Sequence, residues 1–290
     1  MFKALLETLR PRQWTKNLVI FAGLIFDGQV THLVPFSRVL AATFLFCLVS
    51  GITYTINDLL DLEADRRHPQ KCSRPLASGR LTIPQAIVWV AVLAAVALTG
   101  GFLLSPRLAL IFLGYTILIL AYSLWLKKVM ILDVLVIAMG FVLRVLAGLS
   151  VIKVAYFSPW LFVLTTLLAM YLGFGKRLAE LRLLESDAAN HRKTLGRYSV
   201  PLLTQYIIVS LSAILITYTL YTFSARPDQP AHAMMLTIPF VIYGIFRYLY
   251  LIQSDLITAS PEEVLLRDRP MQIAIILWGL AVMLILYWVI

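Results

Sequence analysis

Long apolar runs separated by short polar segments dominate the chain, a pattern typical of helices that lie in a membrane. A membrane-crossing helix needs about 20 mostly apolar residues. Nine segments meet this requirement, and we predict that each crosses a bilayer. They lie at residues 17–33, 38–59, 82–104, 107–126, 130–152, 159–175, 202–222, 233–252 and 271–289. Asp27 and Gly28 interrupt the first segment, which makes it the weakest of the nine.

The composition supports this interpretation and excludes several classes of protein. Of the 290 residues, 60% are hydrophobic and 14% are charged, and the mean hydropathy is +0.86. Soluble domains are about 25% charged. These values exclude a soluble enzyme, a disordered chain and a disulfide-rich secreted domain. We therefore expect an all-α, polytopic membrane protein in which residues 1–290 form a single membrane-embedded domain.

The net charge of +10 fits the orientation rule for membrane proteins, so we expect no nucleic-acid partner. Lys and Arg are enriched in cytoplasmic loops. With nine spans and a cytoplasmic N-terminus, the inner segments hold 20 of the 25 Lys and Arg residues, the outer loops hold four, and Arg144 lies inside a span. We predict this orientation in the plasma or inner membrane. The inner loops near 60–81 and 176–201 then carry most of the ionisable residues.

The most informative polar sequence follows the second apolar run, at residues 57–65. On a continuous helix Asn57, Asp58, Asp61 and Asp65 project from one face. Clustered carboxylates repel one another unless a cation separates them, and Mg²⁺ prefers such oxygen ligands together with substrate phosphates. We predict that these four residues bind Mg²⁺ and that the three aspartates are catalytic. The alternative is a solvated, acidic helix end.

Basic residues come directly after these carboxylates. A diphosphate site needs both a metal ion and cationic side chains, because each neutralises different phosphate oxygens. Lys71 and Arg74 are therefore predicted to bind phosphate. His68 either binds a phosphate or caps the turn before Pro69.

Residues 57–65 resemble the NDxxDxxxD motif of the UbiA superfamily of intramembrane prenyltransferases. The continuation from His68 to Pro75, and the segment from Tyr122 to Lys128, resemble stretches of the same family. The resemblance covers nearly the whole chain. It implies nine helices around a cavity open to the cytoplasm and to lipid, with the two inner loops capping the active site of one catalytic domain.

One segment departs from the pattern of UbiA members that use aromatic acceptors. Those members carry a second Asp-rich motif after the sixth span, where this chain has Lys176, Arg177 and Glu180. This combination resembles a branch that transfers phosphoribose from 5-phosphoribosyl-1-diphosphate (PRPP) to a decaprenyl-type polyprenyl phosphate. The resemblance implies a Mg²⁺-dependent pentosyltransferase whose lipid-linked phosphoribose serves cell-wall polysaccharides such as arabinogalactan.

Several candidate residues have both a substrate-binding and a structural interpretation. Arg144, in mid-membrane, either faces a substrate cavity or pairs with Asp133 or Asp27. Lysines at span ends either contact phosphate or extend to the membrane surface. The substrate-binding interpretation assigns Lys16, Asn17, Asn57, His68, Lys71, Arg74, Tyr122, Lys127, Lys128, Arg144, Lys176, Arg177 and Glu180.

Two other functions remain open. A UbiA-type enzyme that moves a polyprenyl group from its diphosphate to an aromatic acceptor would share the first motif, but the missing second motif argues against it. A lipid transporter often contains internal repeats, and none is evident. Membrane-facing glycine and aromatic positions would permit a homo-oligomer without specifying one.

Overall fold

The computed structural model describes residues 2–68, 71–154, 158–184, 195–224, 233–254, 264 and 267–288. Within these residues the regular structure is helical, with no strand. Short 3₁₀ helices lie at Lys71–Ser73, Leu126–Lys128, Leu195–Arg197 and Ala233–Thr237, and a longer one at Pro11–Phe21. The α-helices are α1 (Phe2–Thr8), α2 (Ala22–Phe26), α3 (Leu33–Leu60), α4 (Leu62–Arg67), α5 (Ile83–Leu104), α6 (Pro106–Leu124), α7 (Leu132–Leu149), α8 (Pro159–Leu184), α9 (Val200–Ser224), α10 (Ile238–Gln253) and α11 (Arg269–Trp288).

Eight helical segments of the described chain are long and apolar enough to cross a membrane. They correspond to α3, α5, α6, α7, α8, α9, α11 and the segment Ala233–Gln253, and they match eight of the nine predicted spans. α8 continues beyond the predicted end at residue 175 and reaches Leu184. The prediction of an all-α, polytopic membrane protein is therefore confirmed.

The first predicted span, residues 17–33, does not form a long α-helix. The 3₁₀ helix Pro11–Phe21 leads into the short α2, and Gly28 adopts a left-handed conformation (φ 76°) just beyond it. The rise is about 2.0 Å per residue in a 3₁₀ helix and about 1.5 Å in an α-helix. From Pro11 to Phe26 the chain therefore extends roughly 30 Å, about the thickness of a hydrocarbon core. This segment is long enough for a ninth crossing in a different helical geometry.

The helices group into two compact units, of which the first lies within Met1–Leu124 and Leu143–Ala155. In this unit α3 packs against α5 and α6, and the long 3₁₀ helix packs against α3. Phe46 of α3 meets Phe112 and Tyr115 of α6 edge to face, with ring centroids 5.6 and 4.8 Å apart. This apolar core fixes α3, whose last turn carries Asp58, the first carboxylate of the motif.

The polar loop that follows α4 has a defined conformation within the first unit. Leu76 and Leu81 are buried in one apolar cluster with Leu62 of α4. Arg80 donates to a carbonyl group of the same loop at 2.7 Å, and it forms an ion pair with Glu7 of α1 at 2.7 Å. The loop is therefore held against both α1 and α4.

The second unit lies within Trp125–Val142 and Tyr156–Ile290. Here α8 packs against α9 and α10, and α10 packs against α11. Gly175 permits one close approach between helices, because a Cβ at this position would lie 2.8 Å from the hydroxyl oxygen of Tyr248. A larger residue at position 175 would therefore displace the ring of Tyr248.

An ion pair joins α10 to the start of α11 in the second unit. Asp268 accepts a hydrogen bond from the backbone N–H of Met271 at 2.8 Å and from Nη2 of Arg247 at 2.8 Å. The hydrogen bonds from Arg247 lower the pKa of Asp268 below its ordinary value of 3.8. The contribution of this pair to stability is thus present above pH 3.8 and is lost as the pH falls through the lowered pKa.

Close packing at Gly148 of α7 gives a test of the first unit. A Cβ at this position would lie 2.0 Å from the carbonyl oxygen of Ile20 in the long 3₁₀ helix. We predict that Gly148→Ala destabilises the folded protein by about 1–3 kcal/mol, the usual cost of overpacking, and lowers its Tm in detergent. Gly114→Ala in α6 is the matched control, because nothing lies within 4 Å of that Cβ. Equal Tm values for the two variants would contradict this packing.

Candidate active site

Two of the predicted carboxylates converge at the end of α3. The side chains of Asp58 in α3 and Asp65 in α4 are 4% and 3% exposed. Nη1 of Arg74 lies 2.9 Å from Oδ1 of Asp58 and 2.5 Å from Oδ2 of Asp65. Because a single nitrogen contacts both side chains, their oxygens lie within two hydrogen-bond lengths of each other. The structure therefore brings together three of the predicted site residues.

The motif is divided between two helices, whereas the spacing argument used one continuous helix. α3 ends at Leu60 and α4 begins at Leu62, with Asp61 between them at φ −96° and ψ 12°. The side-chain amide of Asn57 donates to Oδ2 of Asp61 at 3.2 Å. The motif thus forms two neighbouring pairs, Asn57 with Asp61 and Asp58 with Asp65.

Two further cations contact the buried carboxylates. Nη2 of Arg10 lies 2.5 Å from Oδ1 of Asp58, and Nζ of Lys71 lies 3.7 Å from Oδ1 of Asp65. The backbone N–H of Lys71 donates to Nδ1 of His68 at 3.4 Å, a contact that favours the turn-capping interpretation of this histidine. The carboxylates therefore lie in a strongly basic environment, as a diphosphate site requires.

The residues present fit a Mg²⁺ ion, although they do not form a complete set of protein ligands. In the described part of the chain, no group of three or more His, Cys, Asp or Glu side chains could hold a metal ion. Mg²⁺ usually takes only one or two carboxylates and completes its coordination with water and phosphate oxygens. Asp58 and Asp65 supply such a pair, and they already converge on one cationic nitrogen.

Arg144 is buried among polar and aromatic groups of the first unit. Its Nε donates to Oδ1 of Asn17 at 2.8 Å, and its Nη2 donates to the hydroxyl oxygen of Tyr115 at 2.9 Å. The guanidinium lies 5.2 Å from the ring centroid of Phe46. Ionisable groups at membrane depth commonly serve binding or transport. These contacts connect Arg144 to Asn17, which is also a predicted substrate-binding residue, and to Tyr115, which was not predicted.

Arg177 belongs to a buried network in the second unit. Its Nε lies 3.1 Å from Oδ2 of Asp133, and its Nη1 contacts Glu180 one turn further along α8. The hydroxyl of Tyr198 donates to Oδ1 of Asp133 at 2.8 Å, and burial raises the pKa of Tyr198, which keeps this donor protonated. The network favours a structural role for Arg177 and Glu180, which the sequence analysis assigned to substrate binding.

The same network holds the loop that carries two predicted phosphate ligands, Lys127 and Lys128. Ile131 has a left-handed backbone conformation (φ 70°), which is unfavourable for a β-branched residue. Its N–H donates to the hydroxyl oxygen of Tyr198 at 2.9 Å. Tyr198 therefore connects this loop to the buried Asp133.

The other candidate residues lie closer to the surface. Lys16 and Tyr122 of the first unit are partly exposed, as are Lys127 and Lys176 of the second unit, while Lys128 is exposed. Their contacts with phosphate stay predictions. His191, Arg192 and Lys193, which the sequence places in the second inner loop, lie outside the described residues.

Three residues without a role in the sequence analysis contribute to the contacts described above. Arg10 contacts Asp58, Tyr115 contacts Arg144, and Tyr198 contacts Asp133. Only Arg10 carried a signal, because it is one of several basic residues ahead of the first apolar run. The two tyrosines follow from tertiary packing alone.

The buried network makes a prediction for Arg177. We expect Arg177→Ala to destabilise the fold by about 3–5 kcal/mol, because Asp133 becomes an unpaired buried carboxylate. Adding Asp133→Asn removes that charge and should restore much of the Tm in detergent, with the affinity for PRPP close to that of the parent protein. A stable Arg177→Ala variant whose KM for PRPP is raised would contradict the structural role.

Known proteins resemble the chain over most of its length. The sequence model of the UbiA prenyltransferase family matches residues 18–260 of this chain. Decaprenyl-phosphate phosphoribosyltransferase of Mycobacterium tuberculosis (strain CDC 1551 / Oshkosh) is 32% identical, with 94% of this chain and 90% of the relative covered. The protein of the same name from Corynebacterium glutamicum is 29% identical, with 98% and 86% covered. The structure of a UbiA homolog from Archaeoglobus fulgidus bound to GPP and Mg²⁺ has a TM-score of 0.74 at 20% identity, with 97% of this chain and 99% of that chain covered.

The match to the family spans most of the helices described above and includes the carboxylate motif at residues 57–65. The archaeal homolog has the same helical fold as this chain. The relatives at about 32% identity are named as transferases, and the alignment covers 90% of the relative's own length. The chain is a multi-pass membrane transferase, and it belongs to the UbiA prenyltransferase family.

Proposed function

We propose that the protein transfers the 5-phosphoribosyl group of PRPP to a polyprenyl phosphate of the decaprenyl type and releases diphosphate. The observation that carries this proposal is the pair of buried carboxylates, Asp58 and Asp65, gathered by Arg74 at the end of a membrane helix. Relatives that carry this activity in their name are 32% identical over 94% of the chain, which supports the choice of donor and acceptor.

The donor has two anionic ends, a diphosphate on C1 of ribose and a phosphate on C5. Asp58, Asp61 and Asp65 would hold Mg²⁺, which when bound neutralises diphosphate oxygens and stabilises the leaving group. Arg74 and Lys71 lie beside these carboxylates and would donate to the remaining diphosphate oxygens. Charge-assisted hydrogen bonds of this kind are stronger than neutral ones.

The acceptor needs little activation. The oxygen of a polyprenyl phosphate is anionic near neutral pH, so it can bond to C1 while the bond between C1 and the diphosphate oxygen breaks. The electron pair of that bond leaves with the diphosphate, and no general base is required. The protein therefore contributes positioning and charge stabilisation. Lys16, Lys127, Lys128 and Lys176 are proposed to bind the C5 phosphate or the acceptor phosphate.

Orientation and location are part of the proposal. The excess of Lys and Arg in alternate loops supports a cytoplasmic N-terminus and a cytoplasmic active site in the plasma or inner membrane. The donor is water-soluble and the acceptor lies in lipid, so the reaction belongs at this surface. The product would be a lipid-linked phosphoribose for cell-envelope polysaccharide.

The test is transfer of radiolabelled PRPP by the purified protein in lipid, with a polyprenyl phosphate and Mg²⁺. We expect label in the organic phase that EDTA abolishes. Asp61→Ala should reduce the rate at least about 100-fold, the scale of losing one charge-stabilising group, without changing the Tm. Glu63→Gln is the matched control, because this neighbouring side chain is 73% exposed and paired only at the surface with Arg66.

The contradicting result is equally specific. If PRPP gives no organic-phase label, while a polyprenyl diphosphate releases diphosphate in the presence of an aromatic acceptor, the protein is a prenyltransferase of the ordinary UbiA type. Full activity of Asp61→Ala would overturn the role of the carboxylate motif.

A further inference from the structure

Arg10 is held in a conformation that an arginine rarely adopts. Its backbone is left-handed, with φ 49° and ψ 63°, a region that is unfavourable for residues other than glycine and, at times, asparagine or aspartate. The chain on both sides is fixed. Leu9 is buried and lies so close to Gly51 that a Cβ there would be 3.2 Å from the Leu9 backbone, and Trp14 donates to the Leu9 carbonyl at 3.1 Å. Packing therefore imposes this conformation.

The conformation directs the guanidinium of Arg10 onto Asp58. Nη2 lies 2.5 Å from Oδ1 of Asp58, and the guanidinium carbon lies 4.7 Å from the ring centroid of Tyr54. The same Oδ1 accepts a hydrogen bond from Arg74 at 2.9 Å. One carboxylate oxygen of Asp58 thus contacts two guanidinium groups. Arg74 alone is enough to join Asp58 to Asp65, so the contact with Arg10 is not needed to hold the two carboxylates together.

Oδ1 of Asp58 is also an oxygen that a divalent cation would use. A metal ion bound there must displace a guanidinium or share the oxygen with it at a cost of charge repulsion. A diphosphate that arrives with the metal brings new anionic oxygens, which a guanidinium binds well. Arg74 also contacts Asp65 at 2.5 Å, whereas Asp58 is the one carboxylate that Arg10 contacts among the described residues, so Arg10 is the partner that can exchange.

We propose that Arg10 is a counter-ion that releases Asp58 to the metal and moves to the diphosphate of the donor. Arg10 thereby weakens metal binding in the absence of donor and strengthens diphosphate binding in its presence. Because binding linkage is reciprocal, the metal and the diphosphate then bind cooperatively. From the proposed function, this inference takes only that the site binds a divalent metal ion and a diphosphate group.

The experiment measures binding without turnover. Mn²⁺ binding to the purified protein is followed by electron paramagnetic resonance, and binding of inorganic diphosphate at saturating Mn²⁺ is followed by calorimetry. For Arg10→Ala we expect the Kd for Mn²⁺ alone to fall at least about threefold, because a competing positive charge is gone. The Kd for diphosphate should rise about 10-fold, because a charge-assisted hydrogen bond is lost.

Two further variants separate this exchange from other effects. Arg12→Ala is the matched control, because it removes the same charge from an exposed neighbouring position and should change neither constant more than about twofold. Arg10→Gln retains a polar side chain at the same site and guards against a variant that fails to fold. It should show both shifts of Arg10→Ala with an unchanged Tm.

Three outcomes would overturn the proposal. Unchanged constants in both Arg10 variants would make the residue a structural strap. If the affinity of the Arg10 variants for Mn²⁺ rises but their affinity for diphosphate is not reduced, Arg10 acts only by long-range repulsion of the metal. If Arg12→Ala changes both Kd values as much as Arg10→Ala does, the effect is one of total charge and not of the contact between Arg10 and Asp58. Failure to transfer phosphoribose from PRPP is a separate result, because inorganic diphosphate is the leaving group of a prenyl diphosphate as well.

Discussion

The contact of Arg74 with both Asp58 and Asp65 is the interaction on which the arrangement of the active site depends. Two carboxylates this close and this deeply buried repel each other strongly, and in the absence of a cation one of them would become protonated. Three other features place the guanidinium and its partners. The apolar core around Phe46 fixes α3, the break between α3 and α4 turns Asp65 toward Asp58, and buried leucines fix the loop that carries Arg74.

This requirement for a cation also explains how one arrangement can serve both the free and the substrate-bound protein. Without substrate, arginine side chains compensate the carboxylates. In the proposed substrate-bound state, a divalent ion shares this compensation while Arg10 passes to phosphate oxygens, so neither state leaves a buried charge unpaired. In the second unit, the charges of Arg177 and Asp133 compensate each other, and Tyr198 donates a hydrogen bond to the other carboxylate oxygen of Asp133. This arrangement fits a structural role for these residues.

Eight spans could be predicted from the sequence because an apolar run of about 20 residues has few alternatives to a membrane helix. The same argument missed the geometry of residues 17–33, since apolarity does not distinguish a 3₁₀ helix from an α-helix. The carboxylate motif was predictable because helical spacing is local. The partner of Arg177 was not, because Asp133 lies far away in sequence. The proposed role of Arg10 depends on a left-handed backbone conformation that the contacts of Leu9 and Trp14 impose.

The most direct measurement is an experimental structure of the protein in lipid with Mn²⁺ and inorganic diphosphate, with the metal located by its anomalous scattering. The account predicts manganese bound to Asp58 and Asp65, with Arg10 moved from Asp58 to the diphosphate, which is itself bound to the metal. Manganese or diphosphate bound elsewhere, with Arg10 still paired with Asp58, would contradict the account.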